Sequence, residues 1–365
     1  MPEALKTMFY TPAFFDDLAA SIQTIYPAFD APAFIASIHD ADWDSRELKQ
    51  RMRHTTVTLR ALLPADYRTA LSILLQVAPT LDDYSFEKIF FSDFVEQYGL
   101  DDWEVSLPAL EQLTQVMSAE FAVRPFILKD QARMMAQMEQ WAQHESAHVR
   151  RLASEGCRPR LPWAMALPAL KADPTPILPV LEHLKSDPSE DVRRSVANNL
   201  NDIAKDNPQV VVDTVRRWQE KDSGPQMQAL VKHALRSLIK AGDSDALALL
   251  GYGAQAEVAL HNLVVEPAVV TMGGSITFAF DLESTAAAPQ DLMIDYVLHL
   301  AGANGKPRTK VFKLAQRTLL PGEQIDVRKS YSFKPITTRR YYPGAHAIEI
   351  QINGAICGRA EFEVM

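Results

Sequence analysis

Cysteine is scarce: Cys157 and Cys357 are the only two in 365 residues. They lie far apart and without partners at ligand spacing, which excludes a disulfide framework and a thiolate zinc site and points to a reducing compartment. No apolar run is long enough to span a bilayer, and the first residues lack the pattern of a signal peptide, so a cytoplasmic location is expected. The chain has no P-loop, no dinucleotide fingerprint and no G-x-S-x-G, which removes the commonest nucleotide-binding and acyl-transfer chemistries. Net positive charge is also missing. The formal charge of −9 argues against a nucleic-acid partner for the chain as a whole, but the acidity lies mostly before Glu145. Glu145 to Lys240 holds 15 Lys/Arg against 12 Asp/Glu, and residues 255–365 balance at 11 each. A locally basic face on an acidic protein binds phosphate, because fields beyond about 10 Å are screened in ordinary salt.

What is present is ordinary for a folded chain. With 47% hydrophobic and 23% charged residues nothing suggests disorder, and the length favours two domains.

The most informative stretch runs from His144 to Ala164. Val149, Leu152 and Ala153 fall at helical spacing on one apolar face, while Arg151 and Glu155 lie four apart on another. Val149-Arg150-Arg151 aligns with Val192-Arg193-Arg194 at an offset of 43 residues, within the range of HEAT-type helix pairs, and a weaker third copy spans Leu230 to Leu238. Stacked pairs of this kind bury their apolar faces and present their second helices on one concave surface. Arg150, Arg151, Arg193, Arg194, Arg216, Arg217, Lys232, Arg236 and Lys240 recur through the repeats. A stack of guanidinium groups suits a regularly spaced anion such as the duplex phosphate backbone; carboxylate-paired surface arginines are the plainer reading.

The first 143 residues read as helices over 12–26, 31–39, 46–63, 66–77, 86–97, 107–119 and 120–143, with Asp44 or Ser45 capping the third and Asp66 the fourth. The early aromatics, Phe9 to Trp43, read as core. Later helices are expected over 175–186, 189–205, 210–220, 226–241 and 243–250. From about Ala256 the pattern alternates in seven strand-like runs separated by turns such as Asn304-Gly305 and Asn353-Gly354, which fits an immunoglobulin-like sandwich. Tyr342, before Pro343-Gly344, suggests a tyrosine corner.

His144-Glu145-Ser146-Ala147-His148 spells H-E-x-x-H, a zinc-hydrolase spacing when it lies on one helix. The repeat alignment sets His144 to Ala147 opposite Asp187 to Glu190, the loop and helix start, so a helix-start turn is expected and no metal. Glu120, Glu155 and Asp202 remain as carboxylates on or beside the repeats, with Trp163 after the Arg158 to Pro162 loop. Taken singly, each suits a cap, a solvated charge or packing.

Three segments, His148 to Gly156, Arg158 to Ala164 and Val192 to Asp202, resemble the AlkC-type alkylpurine DNA glycosylases, over roughly residues 1–250. The resemblance implies HEAT-like repeats holding duplex DNA on a concave face, with a C-terminal immunoglobulin-like domain in some members. It also implies removal of cationic N3-methylated bases, 3-methyladenine and in some members 3-methylcytosine, without base flipping. On matching positions it implies active-site roles for Glu120, Glu155, Trp163 and Asp202. The chemistry suits these residues: a cationic base leaves readily, so what remains is to stabilise an oxocarbenium-like sugar and aim a water at it. Asp202 is assigned to the water, Glu155 and Glu120 to charge stabilisation, Trp163 to the sugar or lesion, and Asn198 and Asn201 to orienting the water.

The expected architecture is therefore mostly α, a HEAT-like solenoid over 1–254 followed by a sandwich over 255–365. Its expected DNA contacts are Arg150, Arg151, Arg158, Arg160, Arg193, Arg194, Asn198, Lys232 and Arg236, with Lys306, Arg308, Arg339 and Arg340 from sandwich loops. The chain is read as a monomer needing no cofactor, its partner duplex DNA containing alkylated bases. The alternative is a non-catalytic HEAT scaffold for DNA or an acidic protein.

Overall fold

Local signals set the helical part. A computed structural model of the chain describes residues 8–81, 85–253, 256–303, 307–335 and 340–365. Helices α1 (Pro12–Ile25), α2 (Ala31–Ile38), α3 (Leu48–Leu62), α4 (Tyr67–Val77), α5 (Ile89–Tyr98) and α6 (Trp103–Leu113) come first. Asp66 caps α4 as expected, its Oδ2 accepting from the Thr69 amide at 2.8 Å. The cap of α3 is Glu47 rather than Asp44 or Ser45: Glu47 and Gln50 form a reciprocal capping box, and Trp43 to Ser45 form a short turn of their own. Tyr10, Phe15, Phe29, Phe34 and Trp43 are core.

The expected helix over 120–143 is two, α7 (Val123–Lys129) and α8 (Gln131–Trp141). Asp130 leaves helical geometry between them and its side chain accepts from the Arg133 amide at 3.0 Å. Helices α9 (Ala147–Gly156), α10 (Pro168–Ala172), α11 (Leu178–Leu184), α12 (Glu190–Ile203), α13 (Pro208–Lys221) and α14 (Pro225–Ala234) follow. The third repeat also breaks, at Leu235, before α15 (Arg236–Ala241) and α16 (Ser244–Ala248). Helix α9 packs on α12 and α12 on α14, burying Val149, Leu152, Val192, Val196, Leu200, Leu230 and Val231. That is the layered core of a HEAT stack.

The described residues group into two units, one within Met1–Asn207 and Gly224–Ala234, the other Pro208–Ser223 with Leu235–Met365. In the second, eight strands form two sheets, β1-β3-β6 and β2-β8-β7-β4-β5. They are β1 (Val258–Glu266), β2 (Val269–Val270), β3 (Ser275–Ser284), β4 (Gln290–Leu300), β5 (Arg308–Leu319), β6 (Gln324–Ser332), β7 (Gly344–Ile352) and β8 (Ala355–Val364). The two-residue β2, too short to alternate, is the one strand the sequence does not show. Alternation on β3 puts Ile276, Phe278, Phe280 and Leu282 against Leu292, Ile294, Tyr296 and Leu298 of β4 and Ile348 and Ile350 of β7. The buried corner ring is Tyr341, not Tyr342; its hydroxyl lies 2.9 Å from that of Tyr331.

Asn353 and Gly354 both have positive φ, 46° and 83°, as a two-residue hairpin between β7 and β8 requires. Gly242, which ends α15 at φ 76°, comes so close that a Cβ on it would lie 2.7 Å from the Gly354 carbonyl oxygen. Only glycine fits on either side.

Candidate active site

The repeat explains half of its own arginines. Arg150 Nη1 donates to the carbonyls of His144 and Glu145 at 3.0 and 2.6 Å. Arg193 Nη1 makes the equivalent bonds to Asp187 and Pro188 at 2.5 and 3.0 Å. Arg150 also forks onto Asp187 at 2.6 and 3.0 Å. The first arginine of each pair thus ties down the loop before its own helix, so for Arg150 and Arg193 recurrence reflects architecture, not a repeated anion. The H-E-x-x-H follows suit. His144 precedes α9, and its Nδ1 accepts from the Ser146 amide at 2.9 Å, as Asp187 Oδ1 accepts from Ser189 at 2.8 Å. His144 takes the cap position of Asp187, off the helix that carries His148.

The second arginine does something different. Arg151 Nη1 donates to Ser118 Oγ and Glu120 Oε2, both at 3.0 Å, and its Nη2 lies 3.8 Å from Glu155 Oε1. Glu155, 5% exposed, accepts from Arg158 Nη1 at 2.6 Å on Oε1 and from Ser195 at 2.6 Å on Oε2. Arg158 Nε reaches on to Asp202 Oδ2 at 2.9 Å, and Lys205 holds Asp202 Oδ1 at 2.9 Å. Glu120, Arg151, Glu155, Arg158, Asp202 and Lys205 therefore form one chain of alternating charge. Burial stabilises such a chain only while every member is paired.

A cleft of about 250 Å³ opens over its near end, lined by Glu120, Glu155, Arg158, Leu161, Trp163, Phe86 and Phe121 among others. Three of the four residues expected to act, Glu120, Glu155 and Trp163, meet there. Asp202 does not line it; 1% exposed, it stands one ion pair behind, joined through Arg158. Trp163 is 61% exposed and has φ 63°, a conformation that costs a bulky residue on the order of 1–3 kcal/mol. Its ring meets Phe86 edge-on at 6.5 Å.

Two cations that sequence reasoning missed hold the Trp163 loop. Arg124, fully buried, donates to the carbonyls of Met165, Gly156 and Arg158 at 2.7, 3.0 and 2.9 Å, and burial pulls its guanidinium down to about 10. Lys49 Nζ donates to the Trp163 carbonyl at 2.7 Å and stands 4.7 Å from the centre of the Phe121 ring. A lone arginine within the apolar run 121–128 is a readable sign of burial; nothing near Lys49 links it to residue 163.

The remaining expected contacts are dispersed. Arg160 forks onto Asp206 at 2.6 and 2.8 Å, Arg194 pairs with Asp191, Arg216 with Asp213 at 2.9 Å, and Asn198 meets His233 at 2.9 Å. Arg194 and His233 border a second cleft of about 320 Å³ between α12 and α14. Asn201 is buried, Lys232 is exposed, and Arg236 is half-buried at the start of α15. Arg308 is the first residue of β5 rather than a loop residue. Arg340 is exposed and lies 5.5 Å from the centre of the Tyr342 ring; Arg339 and Lys306 lie outside the described residues.

Residues 177–206, the α11–α12 pair, match the HEAT repeat, and residues 259–365 match the family described as "Uncharacterised protein YhaZ, C-terminal Ig-like domain". The Bacillus subtilis (strain 168) protein described as "Uncharacterized protein YhaZ" is 42% identical over 355 residues, 97% of this chain and 98% of its own length. The solved structure of Pseudomonas fluorescens alkylpurine DNA glycosylase AlkC, bound to DNA containing an abasic site analog, has a TM-score of 0.91 at 42% identity. That match covers 97% of this chain and 98% of the other. With solenoid, sandwich and near full-length identity in agreement, the chain belongs to the AlkC family of alkylpurine DNA glycosylases.

Proposed function

We propose that the protein is a monofunctional DNA glycosylase that hydrolyses the N-glycosidic bond of cationic N3-methylated bases in duplex DNA, 3-methyladenine first and 3-methylcytosine second. The observation that carries the reading is the cleft where Glu120, Glu155 and an exposed, strained Trp163 converge. A positively charged leaving base needs no general acid, and carboxylates fixed beside a sugar developing positive charge stabilise it without reorganisation. Glu120 and Glu155 take that role. Asp202, coupled to the cleft through Arg158, takes the water, and Trp163 takes the sugar or lesion face. The cleft is bordered by paired side chains, Glu120 with Arg151 and Glu155 with Arg158, which fits chemistry on a base that stays in the duplex. The helical residues 1–254 carry this chemistry and the sandwich, 255–365, is a second grip on DNA, with Arg308, Arg339 and Arg340 reaching phosphate.

The test is release of free 3-methyladenine from methylated duplex DNA by the wild type and by Asp202→Asn at equal folded concentration. Release lost in the variant with DNA binding kept supports the assignment; equal release by both refutes the role of Asp202. The closed pairs of Glu155 with Arg158 and of Asp202 with Arg158 and Lys205 favour a second reading, a scaffold whose carboxylates only orient arginines. Wild type that binds DNA and releases no base would establish it.

A further inference from the structure

A bulky residue at positive φ over a cleft needs something to hold it there. Arg124 fixes the ends of the Trp163 loop, through the carbonyls of Gly156 and Arg158 on one side and of Met165 on the other. Between those ends the Ala164 amide donates to the Leu161 carbonyl at 3.3 Å and the Leu167 amide to that of Pro159 at 3.2 Å. None of these bonds uses Trp163 itself. Its carbonyl is held by Lys49 of α3, 114 residues away in the chain.

Lys49 is set in place by its own helix. Arg53, one turn on and on the same face of α3, donates to Asp93 of α5 at 2.7, 2.9 and 3.2 Å and to Glu96 at 3.2 Å. The Asp93 side chain is buried, so this fork fixes α3 against α5. Helix α5 continues directly from the short turn that starts at Phe86, the ring that Trp163 meets edge-on. From this footing Lys49 Nζ reaches the Trp163 carbonyl at 2.7 Å and stands 4.7 Å from the centre of the Phe121 ring. Phe86, Phe121 and Trp163 all line the cleft, so one helix pair and one ammonium set three of its walls.

The charge of Lys49 has the wrong sign for the chemistry. A cation beside a sugar developing positive charge repels it, so Lys49 is unsuited to stabilise the reaction directly. What its bond supplies is geometry. At φ 63° the backbone of Trp163 is strained, and a hydrogen bond from a charged donor is of the same order as that strain. Without the donor the residue relaxes toward negative φ and the exposed indole leaves Phe86.

We propose that Lys49 is a positioning residue: it holds Trp163 in the left-handed conformation with the indole at the cleft, and acts on base release only through that ring. The proposal rests on the glycosylase reading for the role of Trp163.

The test is Lys49→Met in the full-length protein, which keeps the stem and removes the donor; Lys49 is exposed, so the variant folds. Single-turnover release of 3-methyladenine from methylated duplex should fall by about 10- to 100-fold, as for a contact misplaced by on the order of 1 Å. Lys49→Arg, which keeps a charged donor, should recover most of it, and in a Trp163→Gly background Lys49→Met should change release no further. With 5-fluorotryptophan at the five tryptophans, the fluorine resonance that Trp163→Phe removes should shift in Lys49→Met while the other four stay. The slope of log K against log salt for an undamaged duplex should not change. Release that rises, as relief of charge repulsion alone would give, or that stays the same overturns the proposal. So does an unmoved Trp163 resonance, or a slope lowered by about 0.9, the mark of a phosphate contact. Wild type that releases no base discards the glycosylase reading, and the fluorine resonance still decides whether Lys49 holds the indole.

Discussion

Removing Arg158 is the most discriminating perturbation of the site. Arg158→Met keeps volume and deletes the charge. It strips Glu155 Oε1 of its 2.6 Å partner and Asp202 Oδ2 of its 2.9 Å partner, with side chains 7% and 2% exposed. Glu155 keeps Ser195 and an Arg151 contact at 3.8 Å, and Asp202 keeps Lys205. Breaking a buried pair from one side costs about 3–5 kcal/mol because the surviving charge stays buried. For a unit of about 200 residues, at roughly 2–4 °C per kcal/mol, the melting temperature falls by on the order of 10 °C. Adding Glu155→Gln and Asp202→Asn removes the stranded charges and restores most of the stability, since a neutral network of the same shape has no ion to desolvate. Differential scanning calorimetry of the single and triple variants measures both. A single variant within about 1 kcal/mol of wild type, or a triple variant no better than the single, refutes the network as described.

Two further outcomes follow from other parts of the helical unit. Trp163→Gly should leave stability unchanged or raise it by about 1 kcal/mol, because glycine adopts φ 63° freely, while base release falls; unchanged release refutes a role for the indole. Burial and the neighbouring Asp93 push Glu96 up to about 7, with Arg53 opposing. Between its unfolded value near 4.5 and 7 the native state binds the extra proton, so wild-type stability should fall as pH rises through this window. Glu96→Gln should flatten that fall and be the more stable protein at pH 8, by at most about 3 kcal/mol from the shift; parallel pH curves for the two proteins would refute it.

Much of the fold was readable because its signals are periodic. The offset of 43 residues found the α9 and α12 layers, set His144 beside Asp187, and so removed the apparent zinc motif. Breaks were harder: Asp130 ends one helix and caps the next within a continuous apolar pattern, and periodicity does not register a single residue leaving helical geometry. Glu120, Glu155 and Trp163 came from resemblance, since nothing in their spacing says that residues 120 and 155 share a cleft. Spacing misled at Arg150 and Arg193, where it shows recurrence but not the direction of a guanidinium.

The glycine contact between α15 and the β7–β8 hairpin bears on how the sandwich is to be dissected. Gly242 and Gly354 meet backbone to backbone, and the Leu247 side chain closes on the same turn. Cutting the chain near residue 254 would strip α15 and α16 of the hairpin they rest on and leave buried Leu247 facing water. Such a fragment is prone to aggregation and proteolysis whatever the sandwich does on DNA. Single charge changes on the intact chain separate recognition from solubility, and truncation at that point confounds them.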